Sequence, residues 1–318
     1  MTALNKSVPI IFTHKGNALF LQLALLQAKK IYGENIVLLG DESNVCSFVQ
    51  HYNLSDYDSS DLLLEFKKCF TNLSPNSYDY ELFCFERWFI ILDFCIKNHL
   101  SECFCLDSDV LVYENFNCSK EMLKDYSFSI ITKCGKFVGP QCSYFKVDAL
   151  KQFCLFCLDF YKNKVAELKN LYSQLKAEKN ISGISDMVLL GLFCEENPNK
   201  YIDFDFSKDR DFCFDENISV SAGFVMKNGL KKMRFIDSKP YGFRLNGVVS
   251  VRFSILHFQG LNKKYMEKYC ILSRKEKRTS PYYVEFKRME LKTRAKKVFK
   301  IIPHPIRKML KQVLSRAK

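Results

Sequence analysis

Two aspartates one residue apart, Asp107 and Asp109, interrupt the apolar run F-C-L-D-S-D-V-L-V-Y from Phe104 to Tyr113. The hydrophobic residues around them predict a buried strand that meets a sheet edge at the acids. Two carboxylates buried without partners cost several kcal/mol, so a cation or strong hydrogen bonds must offset them. Side chains at i and i+2 of an extended segment project to one side, and such a pair can share a hard divalent cation. The spacing alone is common in this chain, recurring at Asp56 and Asp58, Asp203 and Asp205, and Asp209 and Asp211. Position separates Asp107 and Asp109 from these, because apolar residues precede and follow them. The competing reading is a turn in which the acids make only local hydrogen bonds. A histidine, His257, ends a second strand-like run, V-V-S-V-R-F-S-I-L, and its imidazole can enter the same edge. Taken alone, a histidine at a strand end is an ordinary partly buried side chain.

The elements that must position these groups are legible as an α/β alternation. V-P-I-I-F-T (Val8 to Thr13) reads as a strand, A-L-F-L-Q-L-A-L-L-Q-A-K-K-I-Y as a helix, and N-I-V-L-L-G as a buried strand ending at Gly40 and Asp41. That spacing is a βαβ unit and implies a parallel sheet, where ligands gather at the carboxyl ends of the strands. Asn53 to Asp61 is polar and predicts a loop area. Y-E-L-F-C-F-E-R-W-F-I-I-L-D-F-C-I-K-N-H then predicts a long, largely buried helix leading into the strand that carries the aspartates. Further on, a strand pair is expected around Ser127–Thr132 and Gln141–Val147, and one helix from about Asp148 to Glu178. Another helix should start at I-S-D-M, and Ile218–Leu256 should be antiparallel, with turns at Lys227-Asn228-Gly229 and Leu245-Asn246-Gly247. The fold class is α/β, a single Rossmann-like domain with a mixed central sheet.

With 318 residues and 47% hydrophobic content, the chain can bury a substantial core. Its net charge of +13 is unevenly placed: Leu261 to Lys318 holds 19 Lys and Arg against 4 Asp and Glu, whereas the rest is slightly acidic. A nucleic-acid reader is expected to spread basic residues over a recognition surface, so nucleic acid is not an expected partner. Fourteen cysteines would suit a disulfide scaffold in a short secreted chain. Here Cys95, Cys103, Cys105, Cys154 and Cys157 lie in apolar runs, and Cys154-x-x-Cys157 has neither a second such pair nor a nearby histidine, which favours reduced thiols in a cytosol. The amino terminus has no signal-peptide pattern, and no segment is apolar enough to span a bilayer. A cytoplasmic protein is the expectation.

At the D-x-D stretch the chain resembles the GT-A-fold glycosyltransferases, which use nucleotide-sugar donors and carry this motif after a buried strand. I-L-H-F-Q-G-L-N-K, Ile255 to Lys263, is similar to the H-x-x-G-x-x-K motif of the glycogenin-like and bacterial lipooligosaccharide galactosyltransferase branch. The resemblance runs in order from about Val8 to Lys263. It departs from the branch after the lysine, where Lys264-Tyr265 stands in place of the usual Pro-Trp. It implies that His257 is a third metal ligand beside Asp107 and Asp109, and that Gly260 and Lys263 lie near the donor diphosphate. Two carboxylates, an imidazole and diphosphate oxygens suit Mn²⁺, with Mg²⁺ as the other choice. By the same analogy Asp107 lies nearer the ribose and Asp109 is the firmer ligand.

The resemblance extends to weaker positions. Thr13 and His14 end the first strand, where the family binds the base, or simply form a loop into the helix. Asp41 either touches base or ribose or serves as a turn or N-cap acid. Arg87, in F-E-R-W, either reaches the diphosphate or pairs with a helical neighbour. Asp186 is similar to an acidic catalytic-site residue at a helix start near the sugar, the other reading being an N-cap by Ser185 or Asp186. Retention of anomeric configuration is implied only through the branch.

The implied domain is 1–262, followed by a basic tail, 263–318. In that tail Ile306, Met309, Leu310, Val313 and Leu314 share one helical face, with Arg307, Lys308, Lys311 and Arg316 around them. Pro303 and Pro305 separate it from a basic amphipathic segment containing Val298, Phe299, Ile301 and Ile302. Such a helix suits the anionic cytoplasmic face of an inner membrane, and with the family it suggests a glycan or lipid-linked acceptor of bacterial lipopolysaccharide, lipooligosaccharide or capsule synthesis. A helix that is solvated or docked on the protein is the other reading. Two other classes are weighed against the transferase. A nucleotidyltransferase making sugar nucleotides would show a Gly-rich basic loop after the first strand, of which F-T-H-K-G-N is a poor version. A non-enzymatic basic membrane adaptor accounts for the tail and leaves the acids unexplained.

Overall fold

The computed structural model describes residues 7–44, 46–132, 137–178, 183–204, 212–245 and 250–301, with only the backbone described at 118–120 and 294–301. The chain forms two compact units, Met1–Ile271 and Leu272–Lys318.

The first unit opens with the expected βαβ unit: β1 (Ile10–His14), α1 (Leu19–Tyr32) and β2 (Ile36–Gly40). β1 and β2 run parallel in register from Ile10 opposite Ile36 to His14 opposite Gly40, so both strands end at one edge. A short strand, β3 (Gln50–Asn53), adds to β2 in parallel just before the polar loop area. α2 (Asp61–Cys69) and α3 (Tyr78–Lys97) follow, and then β4 (Glu102–Leu106), which pairs with β1 and brings Leu106 opposite Phe12. The aspartates that follow Leu106 therefore emerge at the edge where β1 ends. Burial of β2 across all five residues, and of Cys103 to Leu106 on β4, reflects cover on both faces of a parallel sheet.

β5 (Val110–Val112) comes next, then α4 (Lys120–Leu123), β6 (Phe128–Thr132), β7 (Val138–Gly139) and β8 (Cys142–Lys146). β8 lies antiparallel to β4 and β6, which makes the sheet mixed as expected. The single helix expected from Asp148 to Glu178 is instead two, α5 (Val147–Asn163) and α6 (Val165–Ala177). Lys164 breaks it: its φ of −118° and ψ of 25° lie off the helical values, and its N–H caps α5 through Asp159 and Phe160. α7 (Asp186–Glu196) begins at the predicted place, and β9 (Tyr201–Asp203) joins β6 in parallel.

The central sheet runs β3-β2-β1-β4-β8-β6-β7, with β9 also on β6. Aromatic side chains fill one side of it: Phe66, Phe85, Phe89, Trp88, Phe128, Phe145 and Phe153 are all buried, and Trp88 meets Phe145 and Phe153 edge to face. Gly183 lies against this layer with φ +69°, and a β-carbon there would stand 2.6 Å from the Leu73 carbonyl oxygen. Gly183→Ala is expected to destabilise the protein by roughly 2 kcal/mol or more, read as a lower urea midpoint with unchanged m-value.

The later strands do not extend the central sheet. β10 (Phe212–Phe214), β13 (Met233–Ile236), β14 (Lys239–Phe243) and β15 (Ser250–His257) join β5 in a second, five-stranded sheet, and β11 (Met226–Lys227) and β12 (Leu230–Lys231) form a small hairpin. β11 and β12 turn at Asn228-Gly229 as expected, both with positive φ. The β13–β14 turn uses Asp237-Ser238, which has no glycine to announce it. The turn expected at Asn246-Gly247 lies outside the described residues. A 3₁₀ segment (Gly260–Tyr265) and α8 (Met266–Tyr269) complete the unit, so Lys263 belongs to it.

In the second unit, α9 (Arg274–Lys277) starts at a capping box of Ser273 and Glu276, and α10 (Pro281–Ile301) carries the backbone through Val298 and Phe299. Ile302 and the amphipathic segment expected from Ile306 to Leu314 lie outside the described residues. No described helix is long and apolar enough to cross a membrane. Among the described residues no cysteine is in a disulfide, and Cys95, Cys103, Cys105, Cys154 and Cys157 are buried as their apolar contexts predicted.

Candidate metal centre

The aspartates sit in a turn rather than in the extended segment expected of them. The Val110 N–H donates to the Asp107 carbonyl at 3.2 Å, and β5 then leaves the central sheet to pair with β15. The bend has a reason: the Asp107 N–H stays with β8, through the Gln141 carbonyl at 3.0 Å, while Val110 to Val112 need partners that only β15 supplies. That antiparallel pairing sets His257 opposite Val110, and the Phe258 N–H donates to the Asp109 carbonyl at 3.0 Å.

The register thereby joins the two motifs. His257 Nε2 lies 3.4 Å from Asp109 Oδ1, and one ligand atom from each of Asp107, Asp109 and His257 falls within 4.8 Å of the others. The cluster fits a D-x-D-type site. His257 Nδ1 is 2.6 Å from the Glu216 carbonyl oxygen, which can only accept, so Nδ1 carries a ring proton; in the charged ring Nε2–H donates toward Asp109, and in the neutral ring the Nε2 lone pair is free to take a cation there. Lys263 completes the group, its Nζ 3.2 Å from Asp109 Oδ2 and 4.8 Å from the centre of the Phe20 ring. Gly260, with φ +63°, makes the turn that brings Lys263 back. Burial works to raise the Asp109 pKa, but the His257 and Lys263 charges and hydrogen bonds outweigh it and hold the carboxyl well below its usual range.

Arg87, on α3, ties three of the expected positions together. One Nη pairs with Asp107 Oδ1 and the other lies 2.6 Å from Asp186 Oδ2. Its ionic partners are thus site acids, not helical neighbours. Asp186 is buried at the first turn of α7 and also accepts from Trp88 Nε1 at 3.0 Å. Ser185 is the N-cap residue but makes no side-chain cap bond, and the Asp186 carboxylate turns to Arg87 and Trp88.

At the end of β1, His14 Nδ1 is 2.9 Å from Ser108 Oγ, so this ring is joined to the residue between the aspartates. Burial and the Lys263 charge push the His14 pKa down against the pull of Asp41 and Asp109. Thr13 Oγ1 is buried with no hydrogen-bond partner among the described residues, and the side chain lines a small cavity with Arg87 and Asp107. Asp41 lies outside the Asp107, Asp109 and His257 cluster and ties its own loop, accepting from the Gly16 N–H at 2.6 Å and the Ser43 N–H at 2.9 Å.

Four participants escape sequence reasoning. Trp88 reads as core, Ser108 as a spacer and Lys231 as a surface lysine in L-K-K. Asp215 offered one signal, an acid directly after the apolar F-C-F, as Asp107 follows F-C-L.

No protein-family profile and no curated protein sequence matches the chain. Solved structures that it is similar to include mouse xyloside xylosyltransferase 1, at 11% identity over 62% of this chain and 85% of that one with a TM-score of 0.45. The galactosyltransferase LgtC is similar at 12% identity over 86% of this chain and 100% of that one, with a TM-score of 0.42. A cytidylyltransferase from Leptospira borgpetersenii is similar at 12% identity over 65% and 78%, with a TM-score of 0.35. Sugar-transferring and nucleotidyl-transferring proteins are both among them, so the chemistry has to be read from this chain's own residues.

Proposed function

We propose that the chain is a metal-dependent glycosyltransferase that moves a sugar from a nucleotide-diphosphate sugar to a glycan or lipid-linked acceptor. The observation that carries this reading is the cluster of Asp107, Asp109 and His257 within 4.8 Å, at the edge where β1 and β4 end, with Lys263 on the same carboxylate. The donor set fits a divalent cation: Asp109 is ionised, His257 presents a lone pair and Asp107 adds a second oxygen ligand. Mn²⁺ suits such a mixed oxygen and nitrogen set, and Mg²⁺ is the other fit. When bound, the cation supplies positive charge against the diphosphate that leaves as the sugar is transferred. Lys263 then places an ammonium beside the same diphosphate. Arg87 holds Asp107 and Asp186 in fixed orientation, with Asp186 near the sugar, and Thr13, His14 and Asp41 border the nucleotide. Nucleoside diphosphate released from UDP- or GDP-sugars in the presence of Mn²⁺ is the expected product, and pyrophosphate would instead mark a nucleotidyltransferase.

The basic carboxyl end supports attachment to an anionic membrane surface, the cytoplasmic face of an inner membrane in a bacterium making lipopolysaccharide, lipooligosaccharide or capsule. Removal of residues 288–318 is expected to abolish sedimentation with phosphatidylglycerol vesicles while leaving donor hydrolysis within about twofold. Unchanged sedimentation would rule the anchor out.

A further inference from the structure

A buried ion pair behind the metal cluster has no part in the chemistry described so far. Lys231 Nζ and Asp215 Oδ1 are 2.6 Å apart with side chains 1% and 0% exposed, an arrangement whose desolvation cost is large. The other oxygen of Asp215 accepts the backbone N–H of His257 at 3.1 Å. Lys231 Nζ also donates to the Asn217 carbonyl at 2.6 Å, and the Lys231 N–H to the Ile218 carbonyl at 2.7 Å. Between these anchors lies Glu216, whose carbonyl receives the His257 Nδ1 proton. Gln141 Nε2 reaches the Asp215 and Glu216 carbonyls at 3.2 and 3.3 Å. The parallel pairing of β10 with β15 shifts register between Cys213 and Phe214, and beyond this irregularity the Asp215 N–H still bonds the Ile255 carbonyl while its carboxylate meets the His257 N–H.

We propose that Asp215, Lys231 and Gln141 are positioning residues for His257: together they hold the Glu216 carbonyl where it fixes the imidazole tautomer and aims Nε2 at the cluster. The assignment rests on the metal-centre reading given above. Hydrophobic replacement of a buried ion pair often preserves folding, so the informative variant is the double Asp215→Leu/Lys231→Met, with Asp215→Asn/Lys231→Met as the conservative form that keeps an acceptor for the His257 N–H.

Two quantities are read on the full chain: Mn²⁺ affinity from the electron paramagnetic resonance of the free ion, and the tautomer of the neutral His257 ring from ¹⁵N imidazole shifts without metal, at a pH high enough that the ring has lost its charge. Melting temperature serves as the folding control. The parent should show Nδ1–H only. The apolar double should bind Mn²⁺ about 10- to 100-fold more weakly and show a mixed tautomer, and the Asn form should recover most of both. Gln141→Met should move both readouts in the same direction by a smaller factor, and it decides the matter if the apolar double does not fold. A folded variant with parental tautomer overturns the assignment, whether or not its metal affinity changes. Tautomer changes in a protein whose parent binds no Mn²⁺ would uphold the positioning role and remove the metal centre instead.

Discussion

Asp109→Ala is expected to lower Mn²⁺-dependent release of nucleoside diphosphate by about 10³-fold, the scale on which a group that stabilises developing charge acts. Three features make it the most sensitive position. It is the acid that faces His257 Nε2, it is the acid to which Lys263 is bonded, and it lies almost wholly out of solvent. Its removal takes away one of the proposed ligands and leaves Lys263 without the carboxylate it pairs with. Stability in metal-free buffer should change with pH in a defined sense. The folded-state pKa lies below the unfolded value, so Asp109 contributes stability above the ordinary carboxylate range and loses it as pH falls toward the folded value. The gap in melting temperature between parent and Asp109→Ala should therefore be full at pH 7 and shrink on acidification below about pH 4. A gap that widens on acidification would contradict the placement of His257 and Lys263 around this carboxylate.

Arg87→Met should be the most damaging substitution for stability around the site. It leaves Asp186, with a side chain only 5% exposed, with the Trp88 Nε1 donor but no counter-ion, and deprives Asp107, 25% exposed, of its ionic partner. Breaking a buried pair by removing one member costs roughly 3–5 kcal/mol, and partial exposure of Asp107 places the expected loss at about 3 kcal/mol. Arg87→Lys should not restore it, because one ammonium cannot reproduce a fork that spans two carboxylates. The double variant Arg87→Met/Asp186→Asn should regain much of the lost stability by removing the stranded charge, while nucleoside diphosphate release stays low. Full recovery of release would show that Arg87 serves the fold alone. Chemical denaturation paired with a product assay on the same preparations distinguishes the outcomes.

How far these residues could be read from the sequence depends on what holds each in place. β1, α1, β2 and the helix before β4 are local patterns of apolar spacing, and they appear where expected because burial on the sheet rewards the same residues that set the pattern. Asp107 and Asp109 stood out for a related reason, as charges inside such a pattern. Their turn was not legible: it arises because β5 finds its partner in β15, more than a hundred residues on, and no local signal separates that from continued pairing in the central sheet. Motif spacing marks His257 and Lys263, and the register of β5 with β15 is the physical cause of the proximity of His257 to Asp109. The union of Arg87 with Asp107 and Asp186 was hidden, because the first two belong to adjoining elements and Asp186 arrives from 99 residues away. The Lys231–Asp215 pair was hidden more deeply, since a lysine beside another lysine on a short strand reads as surface. The break at Lys164 shows the opposite limit, where a helical pattern continues across a position at which the backbone does not.

One site is expected to bind a divalent cation and a nucleotide sugar together. Melting curves of the parent and of Asp109→Ala, taken across a panel of nucleotide sugars with and without Mn²⁺, test it directly. Ligand at about a hundredfold excess over its dissociation constant adds roughly 2.7 kcal/mol, which for a chain of this size corresponds to a shift of about 4 °C. Such a shift is expected for at least one nucleotide sugar, only with Mn²⁺ present, and should be lost in Asp109→Ala. A panel with no Mn²⁺-dependent shift, or a shift of equal size in the variant, would contradict it.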